Sequence, residues 1–169
     1  MQAAPHPVVR DACPEDVAGI CEFGEAHVRA HYAPLIGVQA ADAQVRAWWH
    51  PAYVADAVEK GSVVVADDGG ACVGVAQLGR SGDDHVVYKL YVDPALRGHG
   101  LGPRLLDALT RHLPDGARTL HVEHVAANTR AAAFYEREGF TVVRVDPSPS
   151  GDPALDLVWR SRPVTSTAP

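Results

Sequence analysis

Val86-Val87-Tyr88-Lys89-Leu90-Tyr91-Val92, followed by Asp93-Pro94-Ala95-Leu96 and then Arg97-Gly98-His99-Gly100-Leu101-Gly102, decides how the rest of the chain is read. The first seven residues are mostly apolar or aromatic and β-prone, and Asp93-Pro94 ends them, so they predict a buried strand. Leu101, Leu105, Leu106, Leu109 and Leu113 follow at spacings that place them on one helical face, closed by Pro114. Between strand and helix stand three glycines at alternate positions. Glycine permits backbone conformations and close approaches that side chains forbid, and a loop opening a helix turns unbonded N–H groups outward. The helix N-terminus also carries partial positive charge, so the stretch suits a phosphate or pyrophosphate.

Outward from that stretch, the order of elements can be followed. Val8-Val9-Arg10 predicts a short strand, and Pro14-Glu15-Asp16 opens a helix that runs to about Tyr32, ahead of Pro34 and Gly37. A second helical region spans about 40–60 and is split by Pro51. Ser62–Ala66 and Ala71–Leu78 flank Asp67-Asp68-Gly69-Gly70, a hairpin by turn chemistry. Ser81-Gly82-Asp83-Asp84 turns the chain into the central strand. Beyond the glycine-opened helix, 119–125 reads as strand and 128–138 as helix with Gly139 as its breaker. Residues 140–145 and 154–159 read as the last strands, separated by a Pro/Ser/Gly/Asp loop over 146–153. The fold class is therefore α/β in the broad (α+β) sense: one mixed, mostly antiparallel sheet flanked by helices.

Composition limits the function classes. The 169 residues predict one domain over 8–162, burying about 70% of its unfolded surface, with flexible ends at 1–7 and 163–169. No run of about 18 apolar residues predicts a membrane span, and no basic-then-apolar leader predicts secretion. Cys13, Cys21 and Cys72 have neither disulfide-framework nor zinc spacing, so a cytoplasmic protein with reduced thiols and no metal is expected. A net charge of −6 argues against nucleic acid and favours a cationic substrate.

A second stretch is Asn128-Thr129-Arg130-Ala131-Ala132-Ala133-Phe134-Tyr135-Glu136-Arg137-Glu138-Gly139-Phe140. Together with 97–102 it resembles the GNAT superfamily of acyl-CoA-dependent N-acetyltransferases. The phosphate-loop pattern Arg/Gln-x-x-Gly-x-Gly/Ala is matched by Arg97, Gly100 and Gly102. The later pattern Asn-x-x-Ala-x-x-Phe/Leu-Tyr-x-x-x-Gly-Phe is matched by Asn128, Ala131, Phe134, Tyr135, Gly139 and Phe140. Either motif alone is weak. Both in order, about 30 residues apart, are specific.

The resemblance implies acetyl-CoA as co-substrate, with its pyrophosphate on the backbone of Arg97, Gly98, His99, Gly100, Leu101 and Gly102. The strand near Tyr91 and Val92 would pair with the pantetheine amides, and Asn128 would cap its helix, either with a contact to the cofactor or by capping alone. One departure is Pro103, which has no N–H to offer a phosphate. Tyr135 is implied as the general acid, because a phenol with pKa ~10 can donate to a departing thiolate whose thiol has pKa ~8.5.

A lysine-like acceptor amine is neutral in only about one molecule in a thousand near pH 7, so a base can contribute about 10²–10⁴ in rate. Some members of the family place a glutamate near the start of the central strand; the equivalent residues here are about His85-Val86, and Val86 cannot serve. His85, His121, Glu123 and His124 remain as candidate bases, with a water chain as the alternative. For the acceptor, a primary amine on a small molecule or peptide, the candidate residues are His31, Tyr32 and Trp49, with a core role for these aromatics as the competing reading. Homodimerisation is left open. Two other readings stand beside this one: an acetyl-CoA-binding module without turnover, and a dinucleotide-dependent oxidoreductase using Gly98-x-Gly100 with Glu123 as ribose ligand. Pro103 in the third glycine position and hairpin-connected strands before the loop argue against the oxidoreductase.

Overall fold

A computed structural model describes residues 6–164. The expected flexible ends lie largely outside this range, at 1–5 and 165–169. The chain forms two compact units, one of the residues up to Gln77 with Lys89–His112, the other of Leu78–Tyr88 with the residues from Leu113 onward. The elements in order are β1 (Val8–Asp11), α1 (Val17–Phe23), α2 (Arg29–Ile36), α3 (Val38–Trp48), α4 (Pro51–Glu59), β2 (Val63–Asp68), β3 (Ala71–Ser81), β4 (Asp84–Val92), α5 (Leu101–Thr110), β5 (Thr119–Val125), α6 (Thr129–Arg137), β6 (Thr141–Asp146) and β7 (Leu157–Pro163). The seven strands hydrogen-bond in the order β1-β2-β3-β4-β5-β7-β6. The pairs β1/β2, β2/β3, β5/β7 and β6/β7 are antiparallel; β4 and β5 are parallel over His85–Val87. The mixed, mostly antiparallel sheet read from the sequence is the one observed.

In the first unit, strand alternation separates two apolar layers. Val63 and Val65 of β2 and Val75 of β3 face a cluster built by Ile20, Phe23, Val28, Val45, Trp49, Val54, Ala57 and Val58 from the α1–α4 region. The intervening positions face α5, and a Cβ on Gly74 would lie 3.0 Å from Leu105 and 3.3 Å from the Ala66 methyl. Leu101, Leu105, Leu106 and Leu109 are all buried, the stripe expected from their spacing. The helix stops at Thr110, one turn before Leu113, where the Thr110 hydroxyl donates to the Leu106 carbonyl.

The first helical segment also departs from expectation. It runs from Pro14 to Ile36 through a 3₁₀ turn (Pro14–Asp16), α1, a π-helical turn (Gly24–Val28) and α2, and it includes Pro34. Pro34 removes one N–H from the ladder, but packing of α2 along α3 carries the helix on to Gly37, whose φ of 90° ends it. Trp49 lies against Gly24 in the π turn. A Cβ there would stand 2.7 Å from Trp49 Cγ and closer still to two other ring carbons. Arg10 stitches β1 to the start of this segment, with Nη1 and Nη2 donating to the two Asp16 oxygens at 2.7 and 2.9 Å and Nη2 reaching Asp67 on β2 at 2.8 Å.

In the second unit, Leu120, Val122 and His124 of β5 are buried, with Tyr135 of α6 and Phe140 just after it. Gly79 on β3 lies under the Tyr88 ring, whose hydroxyl donates to the Arg80 carbonyl at 2.7 Å. The last strand begins at Leu157, not at Ala154. Asp152 accepts the Ala154 N–H at 2.9 Å and holds Pro153–Leu155 in a 3₁₀ turn. The edge strand β6 leaves Val142, Val143 and Val145 about half exposed, with a register shift between Val142 and Arg144. Among the described residues no helix is long and apolar enough to cross a membrane.

Two predictions follow from the packing. Gly24 has ordinary helical angles (φ −59°), so alanine at an open site of this kind would gain up to ~1 kcal/mol. Against the Trp49 ring, Gly24→Ala is expected instead to destabilise by about 1–3 kcal/mol, read as a lower midpoint in urea. Unchanged stability would mean that Trp49 moves aside freely.

The second concerns acid. The Arg10 guanidinium, with the Cys13 N–H also contributing, holds the Asp16 carboxyl down at about 2 against the opposing effect of burial. A depressed carboxylate contributes fully above its unfolded value of ~3.9, and the contribution is lost as pH falls from there through about 2. Asp16→Asn should therefore flatten the stability–pH curve between pH 4 and 2. The difference should be well below ~1.4 kcal/mol per unit, because solvent screens the pair.

Candidate functional site

The glycine loop belongs wholly to the first unit. After β4, Asp93 accepts the Ala95 N–H at 2.9 Å and holds Pro94–Leu96 in a 3₁₀ turn. Gly98 (φ 81°) and Gly100 (φ 75°) then adopt left-handed backbone, and Gly100 is the N-cap of α5. A side chain at either position would be strained by its φ alone, since a Cβ there would meet no protein atom within 4 Å. The space in front of the loop is thus open, and the first-turn amides of a ten-residue helix have no intrahelical acceptor. Pro103 contributes none. His99 turns its Nδ1 to the Arg97 carbonyl at 3.0 Å, leaving the loop's glycines exposed. This arrangement fits a pyrophosphate: an exposed backbone at a positive helix end.

The candidate residues on α2, just after α3 and on β4 also lie in the first unit and form one aromatic series. The Tyr91 hydroxyl donates to that of Tyr32 at 3.0 Å, and His31 stands edge-on to Tyr32 at 5.0 Å. Trp49 packs edge-on to Tyr91 at 5.4 Å and is only 3% exposed, so it is a core residue by burial.

One member of this series has no counterpart in the sequence reading. Lys89 is 5% exposed, donates to Gln77 Oε1, and lies over the rings of Tyr53 (4.5 Å to the centroid) and Trp49 (5.2 Å). Gln77 in turn donates to the Tyr53 hydroxyl at 3.2 Å. Burial pushes the Lys89 amine down to about 7, opposed by Cys21. Its signal in the sequence is one charged residue inside an apolar strand, at the alternation position of Val87 and Tyr91.

In the second unit, α6 begins at Asn128, whose side chain accepts the Ala131 N–H at 3.2 Å, the cap expected from the motif. Tyr135 is buried, stacked on His124 (6.3 Å, 18°) and edge-on to Phe134 and Phe140. Glu123 and His121 share one face of β5, and His124 takes the other. Burial raises the Glu123 carboxyl above its ordinary range, Arg144 opposing. His121 has a buried Nδ1 without a hydrogen-bond partner, 3.9 Å from an Asp84 oxygen. His85 is half-buried beside Leu120.

The ring nitrogens of His124 are both engaged. Nδ1–H donates to the Val125 carbonyl at 2.9 Å, and Nε2 accepts from Arg160 Nε at 3.1 Å, which fixes the neutral tautomer. Burial lowers its pKa, and nearby Arg160 acts in the same direction. With its lone pair bound, His124 is poorly placed to accept a proton.

Comparison with known proteins agrees with this architecture. The acetyltransferase (GNAT) domain model matches residues 59–142. A mycothiol acetyltransferase of Propionibacterium freudenreichii is 35% identical over 104 residues, which is 59% of this chain and 31% of that protein. One from Catenulispora acidiphila is 48% identical over 58 residues, 32% of this chain and 18% of that protein. The chain thus spans less than a third of the length of these curated relatives.

Among solved structures, the PaiA N-acetyltransferase of Thermoplasma acidophilum in complex with coenzyme A superposes with a TM-score of 0.76 at 15% identity, covering 95% of this chain and 100% of that one. The putative acetyltransferase YncA of Salmonella typhimurium with acetyl-CoA gives 0.66 at 24% identity, covering 98% of each. Those likenesses establish the fold, and the matched domain includes both the hairpin-led central strand and the glycine loop. The chain belongs to the GNAT acetyltransferase family.

Proposed function

We propose that the chain is an acyl-CoA-dependent N-acetyltransferase, moving an acetyl group from acetyl-CoA directly to a primary amine of a small molecule or peptide. The observation that carries this reading is the stretch Arg97–Gly102, in which two left-handed glycines open α5, buried along its leucine face, onto free space. Bound acetyl-CoA supplies an activated acetyl group and departs as a thiol. In this reading the backbone of 97–102 binds the pyrophosphate, the main chain at Tyr91 and Val92 orients the pantetheine arm, and Asn128 orders the start of α6. Tyr135 supplies the proton to the departing thiolate. Among the histidines and carboxylate considered as bases, burial raises the Glu123 carboxyl and lowers His124, whose ring nitrogens are both already bound. The acetyltransferase domain would extend over 8–162. The free thiols of Cys13, Cys21 and Cys72 agree with a reducing, cytoplasmic setting.

Calorimetry with acetyl-CoA tests the loop. Gly100→Glu should abolish binding, since it puts a side chain and a negative charge where phosphate would sit and strains a backbone at φ 75°. Equal affinity in both proteins would refute the loop assignment, and binding of a nicotinamide dinucleotide without acetyl-CoA binding would favour the oxidoreductase. Release of free thiol against an amine panel separates an enzyme from a binding module.

Tyr135→Phe keeps the ring and its packing while removing the hydroxyl. It should lower kcat about 10²-fold and leave the Kd for acetyl-CoA within a few-fold. The loss should shrink with an acyl donor whose thiol is more acidic. An equal loss with both donors would make Tyr135 a positioning residue.

A further inference from the structure

Fifteen side chains of this protein are lysine or arginine, and only two are lysine, Lys60 and Lys89. Lys60 is exposed and paired with Asp56 at 2.6 Å, which holds its amine protonated. Lys89 differs in every respect. It sits in the core of the first unit, two residues before Tyr91 on the strand that the proposed function assigns to the cofactor arm.

The site around Lys89 is assembled from four separate elements. Gln77 on β3 accepts one N–H, and Tyr53 on α4 and Trp49 after α3 present their rings. The π turn preceding α2 supplies Gly24, without which the Trp49 ring could not occupy its place. The titratable side chains packed into the same cluster are Cys21 from α1, Tyr32 from α2, Tyr53 from α4, Cys72 from β3 and Tyr91 from β4. At Nζ burial is the larger influence and Cys21 opposes it. The two influences on the proton are therefore opposed. Desolvation expels it, while two ring faces and an amide oxygen hold it, each ring contributing in the manner of a cation–π contact.

Arginine would keep its proton under all conditions. In a chain that uses arginine for almost every basic position, lysine here provides a basic group able to change its charge. We propose that Lys89 is a proton acceptor for the incoming acceptor amine: the neutral Lys89 amine takes one proton from R–NH₃⁺, leaving R–NH₂ free to attack and Lys89 as an ammonium held by Gln77, Tyr53 and Trp49. This rests on the N-acetyltransferase reading. It assigns to Lys89 the role for which the strand histidines and Glu123 were considered.

The test uses the whole protein labelled with [ε-¹⁵N]lysine, which gives two side-chain resonances. The Lys89 signal should titrate at least two pH units below that of Lys60. The acid limb of the pH profile of kcat/KM should follow the Lys89 midpoint. Lys89→Met should erase that limb and lower kcat by about 10²–10⁴-fold, with the Kd for acetyl-CoA unchanged. Lys89→Arg should restore the charge and not the rate.

Co-titration of the two resonances overturns the proposal whether or not either variant folds. So does a Lys89→Met variant with the wild-type pH profile and rate, or rescue by arginine. Failure of the transferase reading is seen separately, as absence of acetyl-CoA binding and of thiol release by the wild type. That result removes the proposed step as well.

Discussion

The register between β2 and β3 is the constraint on which the first unit depends. Val63 and Val65 face the α1–α4 cluster together with Val75 because Val65 pairs with Val75; a slip of β2 by one residue would turn Val63 and Val65 toward α5 and bring Val64 and Ala66 to the helical cluster. The two faces are not interchangeable. The α5 side is filled by small residues, Ala66 and Gly74, so that Leu105 can approach the sheet closely, while the opposite side accommodates Trp49 and Phe23. The two-residue turn at Gly69-Gly70, with φ of 61° and 96°, closes the hairpin between them. The same alternation carries Lys89 and Tyr91 to the large-residue side and leaves the loop after β4 to be continued by α5.

Most of this fold was legible because its signals are local. The strand ending at Asp93-Pro94, the leucine stripe, Gly-Gly and Gly82 turns and the Asn128 cap each follow from backbone preference within a few residues. The misread boundaries have non-local causes. The helix passes through Pro34 because α2 packs on α3, a contact that no local propensity encodes. The π turn at Gly24–Val28 exists in relation to a tryptophan more than twenty residues later. The start of β7 shifted because Ala154 and Leu155 read as strand by their apolar character, while Asp152 folds Pro153–Leu155 into a 3₁₀ turn with one side-chain acceptor.

The site shows the same division. The loop and α6 carry motifs, so their glycines, cap and tyrosine could be picked out by resemblance to the family's pattern. The environment of a titratable side chain cannot, because burial and partners are properties of the folded chain. His124 and Glu123 are neighbours on β5 and looked comparable as bases. Folding buries one nitrogen against Arg160 and the other against a carbonyl, while it only half buries the carboxylate. Lys89 was a single letter in an apolar strand until Trp49, Tyr53 and Gln77 were brought around it from positions twelve to forty residues away.

The edge strand β6 has a consequence for behaviour at high concentration. Its three half-exposed valines and its unpaired outer backbone form a template on which another chain could add as a further strand. Two features disturb that template: the register shift between Val142 and Arg144, and the Arg144–Asp146 pair, whose guanidinium lies 4.6 Å over the Trp159 ring. Colloidal stability of the second unit thus depends on a one-residue irregularity and a single charged pair, with a margin that has little to do with the free energy of folding.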